Sequence, residues 1–296
     1  MAVANTVTYN KHDYVTRLRQ RLNRPTNWME VARVKYSDVR TIVESVISTE
    51  PSVVTGTRGT SYTHEAFALI ADTLTISNYR NIPMFIDEAD RYQQSYFDQM
   101  AMGDFQAKKI NEYIEAQFLA QHTSGVNFGA GDLANTSSGD ETQITVSATN
   151  IDDLIRAIKR KIYGQNGIEA AMERGFYSIW RPSDWEFLEG FWQANGFSNA
   201  DDALKNGVAP NKGVYYLGMW HYLSNDHTAN HLFAGVRKSA DIGILRSTYG
   251  RVKFLEDPSN GSGPMSGLGV VSRVDYGFSF PANGSLNQLT QDVNVA

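Results

Sequence analysis

The stretch 87–122, DEADRYQQSYFDQMAMGDFQAKKINEYIEAQFLAQH, decides the fold. Tyr92, Tyr96, Met100, Gly103, Ala107, Ile110, Ile114 and Phe118 advance in steps of three or four, the spacing of one buried helix face. Asp87, Glu88 and Asp90 gather at its start, where the helix dipole favours negative charge. The spacing predicts a single amphipathic helix over Asp87–His122. Such a helix would span roughly 54 Å at 1.5 Å per residue, against a diameter of roughly 50 Å for a compact chain of this size, so an elongated molecule is expected. Gly103, at mid-helix, is a candidate kink.

Toward the N-terminus, residues 51–86 hold a Gly/Thr-rich stretch, TGTRGTSYT, and two β-rich runs, Glu65–Ala71 and Thr73–Tyr79. They predict a long two-stranded excursion, which needs a surface to lie on because a lone hairpin is marginal in water. Residues 26–50 read as extended or mixed. Before them, Tyr14, Val15, Leu18 and Leu22 recur at helical spacing until Arg24-Pro25 closes the helix.

Toward the C-terminus, residues 123–142 are a polar, Gly-rich loop, followed by a strand at Gln143–Ala148 and a helix opened by Asn150 and running through Tyr163. A strand at Phe176–Trp180 leads into a helix from Pro182 that carries Trp185, Leu188, Phe191 and Trp192. Strand patterns then dominate: Val214–Leu223, His231–Arg237, Asp241–Arg246, Arg251–Glu256 and Val270–Phe280. The class is α+β, and the absence of a fixed-period repeat argues against solenoids and propellers.

Composition narrows the chemistry. The 296 residues include no cysteine, which excludes disulfides, thiolate nucleophiles and Cys-based metal sites. No apolar run approaches the length of a membrane span, no secretory leader is recognisable, and a cytoplasmic setting or a particle made there is expected. The net charge of -5 is uneven. Residues 1–40 hold eight basic and three acidic side chains, or +5, so the remaining 256 carry -10. A basic arm bearing Arg17, Arg19, Arg21 and Arg24 precedes an acidic body, and it suits either acidic surfaces of identical neighbours or packaged nucleic acid.

No catalytic, cofactor-binding or metal set is expected. His227 and His231 are four apart, yet Thr228 stands where a metalloprotease would carry its general base, so surface histidines are the better reading. Asp184, Glu186 and Glu189 among Trp180, Trp185 and Trp192 suggest a carbohydrate hydrolase as a minor alternative. Core packing with charge in the first turn explains the same residues. The glycines of 261–269 lack the spacing of a phosphate cradle.

The order of elements resembles the major capsid proteins of tailed bacteriophages, the Hong Kong 97-type fold. By that resemblance 1–50 is the N-arm, 51–86 the extended E-loop hairpin, and 87–144 the P-domain with its spine helix 87–122. Residues 145–250 are the A-domain, and 251–296 hold the strands returning to the P-domain and the C-terminus. NIDDLIRAIKRKI, FYSIWRPSDWEFLEGF, GVYYLGMWHYLSND, GVRKSADIGILRSTYGRVKFLED and VVSRVDYGFSFPANG are similar to successive A-domain and return segments of that family. The implied function is a virion shell assembled in the host bacterial cytoplasm from pentamers and hexamers of this chain. Implied partners are a separate scaffolding protein, a portal, a cement protein and non-specifically packaged DNA, with no membrane. Residues 51–86 contain no lysine, so Lys–Asn cross-linking at the E-loop is not expected. An encapsulin-like nanocompartment is the alternative container.

The arm and E-loop are expected to bury their apolar positions on neighbouring copies, with Arg58 and Arg80 pairing with a neighbour's Asp87, Glu88 or Asp90.

Overall fold

A computed structural model describes residues 11–23, 26–47, 58, 69–88, 96–121, 126–127, 144–164, 172–195, 213–227, 231–256, 266–280 and 289–295. Arg24, Asp90, Tyr92 and most of the loops 51–68 and 123–142 lie outside them.

Two sheets share one spine helix, α3 (Tyr96–Leu119). The first sheet contains β1 (Arg33–Ser37), β4 (Asn78–Asp87), β11 (Asp241–Leu245), β12 (Arg251–Glu256) and β13 (Gly267–Ser279). β13 is its axis: β11 and β12 pair along one edge and β4 along the other, all antiparallel, while β1 adds parallel to β11. One face of this sheet is covered by α3 and by α1 (Lys11–Leu22). Ile110 and Ile114 of α3 and Tyr14, Leu18 and Leu22 of α1 join Ile86, Leu268, Val270 and Val274 in its core. Gln106 is buried within this core, where its amide donates to the carbonyls of Ile82 and Val270 and its Oε1 accepts from the Tyr14 hydroxyl. Every polar atom of that side chain is thereby satisfied, as burial requires.

The second sheet runs β5 (Val126–Asn127), β14 (Leu289–Val295), β10 (His231–Val236), β7 (Phe176–Trp180), β9 (Met219–Leu223), β8 (Val214–Tyr216), with β6 (Ile144–Val146) also pairing β14. Its central strands are buried on both faces, which is why they read as continuous apolar runs. Phe176, Trp180, Met219, Leu232 and Ala234 face α4 (Ile151–Gly164) and α5 (Pro182–Asn195). Tyr177, Ile179, Tyr222 and Phe233 face the opposite core, where Phe118 of α3 and Trp28 of α2 (Asn27–Val31) lie. The spine therefore links the sheets by covering a face of each.

Several expectations change. Asp87 closes β4, opposite Gly267, and helical geometry is taken up at the next residue, Glu88. The alternation of inward Ile82, Met84 and Ile86 with outward Asn81, Pro83 and Phe85 imposes period 2 up to that point. Residues 89–95 lie outside the described residues, and the described part of the spine, Tyr96–Leu119, spans roughly 36 Å over its 24 residues. Gly103 lies within uninterrupted helix against the Tyr14 ring. The N-terminal segment also packs on its own chain. Leu18, Leu22 and Trp28 are fully buried there, and β1 is a strand of the first sheet.

The excursion is built from different strands than expected. Leu69–Thr75, β3, pairs antiparallel with β2 (Thr41–Ile47) from Thr41↔Thr75 to Ile47↔Leu69, and not with a second strand inside 51–86.

Candidate assembly surfaces

The β2–β3 pair is a two-stranded ribbon that joins neither larger sheet. Its root is seated on the face of the first sheet opposite α1 and α3. Gly243 and Gly277 lie side by side there, paired across β11 and β13. A Cβ at Gly277 would stand 2.1 Å from the Thr75 carbonyl oxygen, and one at Gly243 would stand 3.0 Å from Leu74 Cδ2. The two glycines form a saddle that admits the backbone at Thr75 and the side chains of Leu74 and Ile76, both buried. The Ile76 N–H donates to the Arg40 carbonyl at 2.7 Å and closes the loop between the ribbon strands' root ends.

Charge locks the same junction. Asp241, 3% exposed, accepts from Arg33 Nε at 2.6 Å, Arg33 Nη2 at 2.8 Å and Lys35 Nζ at 2.6 Å. Glu44 of the ribbon takes the other side of both cations, at 3.0 Å from Arg33 and 2.5 Å from Lys35. Burial pushes the Asp241 carboxyl up, but hydrogen bonds from Arg33 and Lys35 outweigh it and hold the group below its ordinary range. A second knot joins buried Asp275 to Arg273 at 2.6 Å and to Arg40 at 3.4 Å, with the Arg273 guanidinium over the Tyr79 ring. Paired carboxylates satisfied this fully are what allows charge under a strand crossover.

One face of the ribbon is open to solvent over residues 41–45 and 71–75. Val43 is 60% exposed, and Ser45, Ala71 and Thr73 on the same face are exposed as well. On the outer face of the first sheet, Phe85 and Leu255 flank Gly269 in one cross-strand row and remain partly exposed, with Tyr79 further along. β4 is an edge strand, and Pro83 within it fits an edge, where a missing N–H costs no ladder bond.

Arg58 is an exposed turn residue. Arg80 and Asp87 sit at opposite ends of β4, so one chain cannot pair them. The Arg80 guanidinium donates to the Tyr113 hydroxyl at 2.5 Å and lies over that ring. Glu88 accepts from the Ser266 hydroxyl, and Asp90 is outside the described residues. In the arm, Arg17 is held by both Asp104 oxygens at 3.1 and 3.0 Å, and Arg19 Nε reaches the Gly250 carbonyl at 3.4 Å. Arg21 is half-buried on the last turn of α1. Part of the arm's charge is therefore spent on its own chain, because α1 packs against the acidic flank of the spine.

The carboxylates among the tryptophans do not form a facing acid/base pair. Asp184 is fully buried and clamped by Arg181 at 2.8 and 3.0 Å, while Glu189 accepts the Trp185 indole N–H at 2.7 Å and Glu186 is exposed. Trp180, Trp185 and Trp192 are core residues with no open ring face for a sugar. His227 follows β9 and His231 opens β10, so they share no helix face. His227 is also no simple surface group: burial, with Arg181 and His231 adding, lowers it to about 4. Among the described residues, no cluster of three metal-ligating side chains forms and no helix is long and apolar enough to cross a membrane. The sequence had no local signal for the saddle or the Arg33–Lys35–Asp241–Glu44 knot, whose members lie up to 208 residues apart.

No protein-family model and no curated protein matches the chain. Solved structures do match over nearly its whole length. The capsid of Ralstonia phage GP4 superposes with a TM-score of 0.57 at 9% identity, over 92% of this chain and 90% of that one. A chain of Mycobacterium phage Cain gives 0.61 at 11% identity, over 92% and 91%. A virus-like particle from Pyrococcus furiosus gives 0.56 at 9%, over 95% and 98%. The architecture built above from two sheets, a shared spine helix and a rooted ribbon is the Hong Kong 97-type capsid fold.

Proposed function

We propose that this chain is the major capsid protein of a tailed double-stranded DNA bacteriophage, a non-enzymatic subunit that closes an icosahedral head from pentamers and hexamers. The observation that carries the reading is the agreement in fold with a phage capsid over 92% of this chain and 90% of that one. The ribbon supports it: a two-stranded sheet that joins neither larger sheet and leaves Val43 on an open face is marginal alone, and another copy supplies a surface for that face. The E-loop in this reading is the ribbon with the loop between its strands. It lies over the neighbour's outer sheet face, where Phe85, Leu255 and Tyr79 offer apolar area, and Arg58 meets the neighbour's Asp87, Glu88 or Asp90. Repeated heterologous contacts of this kind close rings and then shells. A scaffolding protein, a portal and a cement protein complete the assembly, which forms in the host cytoplasm around packaged DNA.

A nanocompartment is the second reading, favoured by the match to 98% of the Pyrococcus furiosus particle chain. Particle contents separate the two, since one encloses DNA and the other protein cargo.

The test is negative-stain microscopy and sedimentation of the full chain, alone and co-expressed with its scaffold, beside Val43→Asp. Closed shells from the parent, and a folded but unassembled Val43→Asp chain, are the expected results. A parent chain that stays monomeric with scaffold present overturns the proposal.

A further inference from the structure

We propose that the exposed face of α4 bearing Arg156, Lys159 and Arg160 binds the phosphate backbone of duplex DNA; this rests on the capsid reading and names the surface turned toward the genome. The three cations recur at i, i+3 and i+4, so they stand on one side of the helix, and with Tyr163 they line a shallow depression of about 280 Å³. The opposite side of α4 is wholly committed to the core through Leu154, Ile155, Ile158 and Ile162. The subunit's own packing leaves Arg156 and Arg160 exposed and Lys159 half-buried against the β8–β9 turn.

Two of the cations are held in place, Arg156 in the open and Lys159 half-buried. Arg156 is steadied by Asp152 at 3.1 Å and Asp153 at 3.4 Å and is still 64% exposed. Lys159 Nζ donates to the Leu217 carbonyl at 2.7 Å, at the turn between β8 and β9 where Leu217 and Gly218 both take positive φ. Arg160 is exposed. Cations fixed in this way lose less freedom when a polyanion arrives, and the Tyr163 ring, partly exposed one turn on, brings a hydroxyl donor to the same depression.

Electrostatic contrast identifies the partner class. Residues 41–296 carry -10 overall, so a basic stripe on them is a local reversal, suited to a ligand of dense negative charge. Arg17 of the basic arm is paired with Asp104 as Arg156 is with Asp152 and Asp153, and the stripe is set apart by exposed Arg160 and by the depression its cations share with Tyr163. Each stripe makes few contacts, and a shell multiplies them over many copies, which holds DNA without reading its sequence.

The experiment measures duplex DNA binding to the full-length chain before assembly, by fluorescence anisotropy across 50–200 mM salt, with microscopy of assembled shells run separately. Three phosphate contacts give a log–log slope of about -2.7, or about a 40-fold loss of affinity over that range. Arg156→Gln/Arg160→Gln is expected to flatten the slope to about -0.9, about a 3.5-fold loss, with an unchanged thermal melt and intact shells. Arg19→Gln/Arg21→Gln is expected to keep the parent slope. A parent chain without salt-dependent binding, or a double variant with the parent's slope, overturns the proposal. So does a double variant that keeps the slope and loses shells, since the stripe is then a contact between copies. Absence of shells from the parent chain, with the slope intact, would instead strike the capsid reading alone.

Discussion

Raising the pH should weaken this subunit through one carboxyl, and Glu115→Gln should abolish that weakness. Glu115 lies on the spine helix where α2 and the exit of β9 meet it, and only 7% of the residue is exposed. Asn27 Nδ2 donates to its Oε1 at 3.0 Å and to the Leu223 carbonyl at 2.8 Å, and the Ser224 hydroxyl gives a further bond. Burial dominates and pushes the carboxyl up to about 7, with Asp226 and Glu112 adding to the rise and the Ser224 and Asn27 bonds offsetting part of it. The folded chain thus keeps a proton that the unfolded chain releases near the ordinary glutamate value. Stability is fully present below about 4.5, declines as pH rises through about 7, and is level above that. At 1.36 kcal/mol per unit the loss is about 3 kcal/mol, a large part of a typical domain's margin.

Glutamine keeps the shape and the hydrogen-bonding capacity without a titrating proton. Urea unfolding of the unassembled chain at pH 5 and pH 8.5, parent against Glu115→Gln, isolates the group, because background titrations cancel in the difference. Between the two pH values the variant should gain about 2.5 kcal/mol relative to the parent, since part of the loss is already present at pH 5. A parent–variant difference that stays constant within about 0.5 kcal/mol would show that the carboxyl is ionised in the fold, and the argument from burial would fail.

Further predictions follow from the same geometry. Gly277→Ala places a methyl 2.1 Å from the Thr75 oxygen and should unseat the ribbon, with a loss of about 1–3 kcal/mol and faster cleavage at the ribbon in limited proteolysis. Gly103→Ala places its Cβ 3.6 Å from the Tyr14 ring, in ordinary contact, so the helix should gain about 0.5–1 kcal/mol in a thermal melt. His221 is wholly buried: Nε2 faces the Tyr216 carbonyl at 3.2 Å, so it carries the proton, and Nδ1 accepts from Ser178 at 2.7 Å and Trp180 at 3.0 Å. Burial lowers it to about 4 despite the Tyr216 bond. Its contribution is intact above about 6.5 and declines as pH falls through about 4, and nitrogen NMR should show a neutral Nε2–H ring at pH 6. Asp241→Asn should cost about 1–3 kcal/mol above pH 4, discounted because Arg33 is half exposed, and the cost should shrink in acid as the parent carboxylate itself protonates.

What the sequence discloses is the part of the fold whose cause is local. Phe176–Trp180 and Arg251–Glu256 match their expected boundaries residue for residue, the first as a short buried run and the second through the polar–apolar alternation Arg251, Val252, Lys253, Phe254. The spine is legible from Ala107 to Phe118, where every third or fourth residue is buried, while Asp87, which its acidic neighbours place at the helix start, ends the preceding strand one residue before helical Glu88. The closing strand Leu289–Val295 went unread because polar Thr290, Gln291 and Asp292 interrupt its apolar pattern. Ribbon pairing was illegible for a different reason. Strands 41–47 and 69–75 both mix apolar and polar residues on each face, so nothing local fixes which strand each meets or in what register.

That register is fixed from a distance, and the fixing is itself an argument about function. Arg33 and Lys35 meet Asp241 across about two hundred residues and bridge it to Glu44, Arg40 meets Asp275 across 235, and two glycines open the sheet face beneath the crossing. A ribbon needed only for the subunit's own stability would be expected to lay its apolar residues on that subunit. This one places Leu74 and Ile76 at the root and leaves Val43 bare further out. Paired charges confer direction more than stability when partly exposed, since each pair contributes little energy but mispairing is costly. The root therefore holds the ribbon along one line, and under the proposed function a fixed line is what identical neighbours would require if each is to receive the ribbon of the next in the same place.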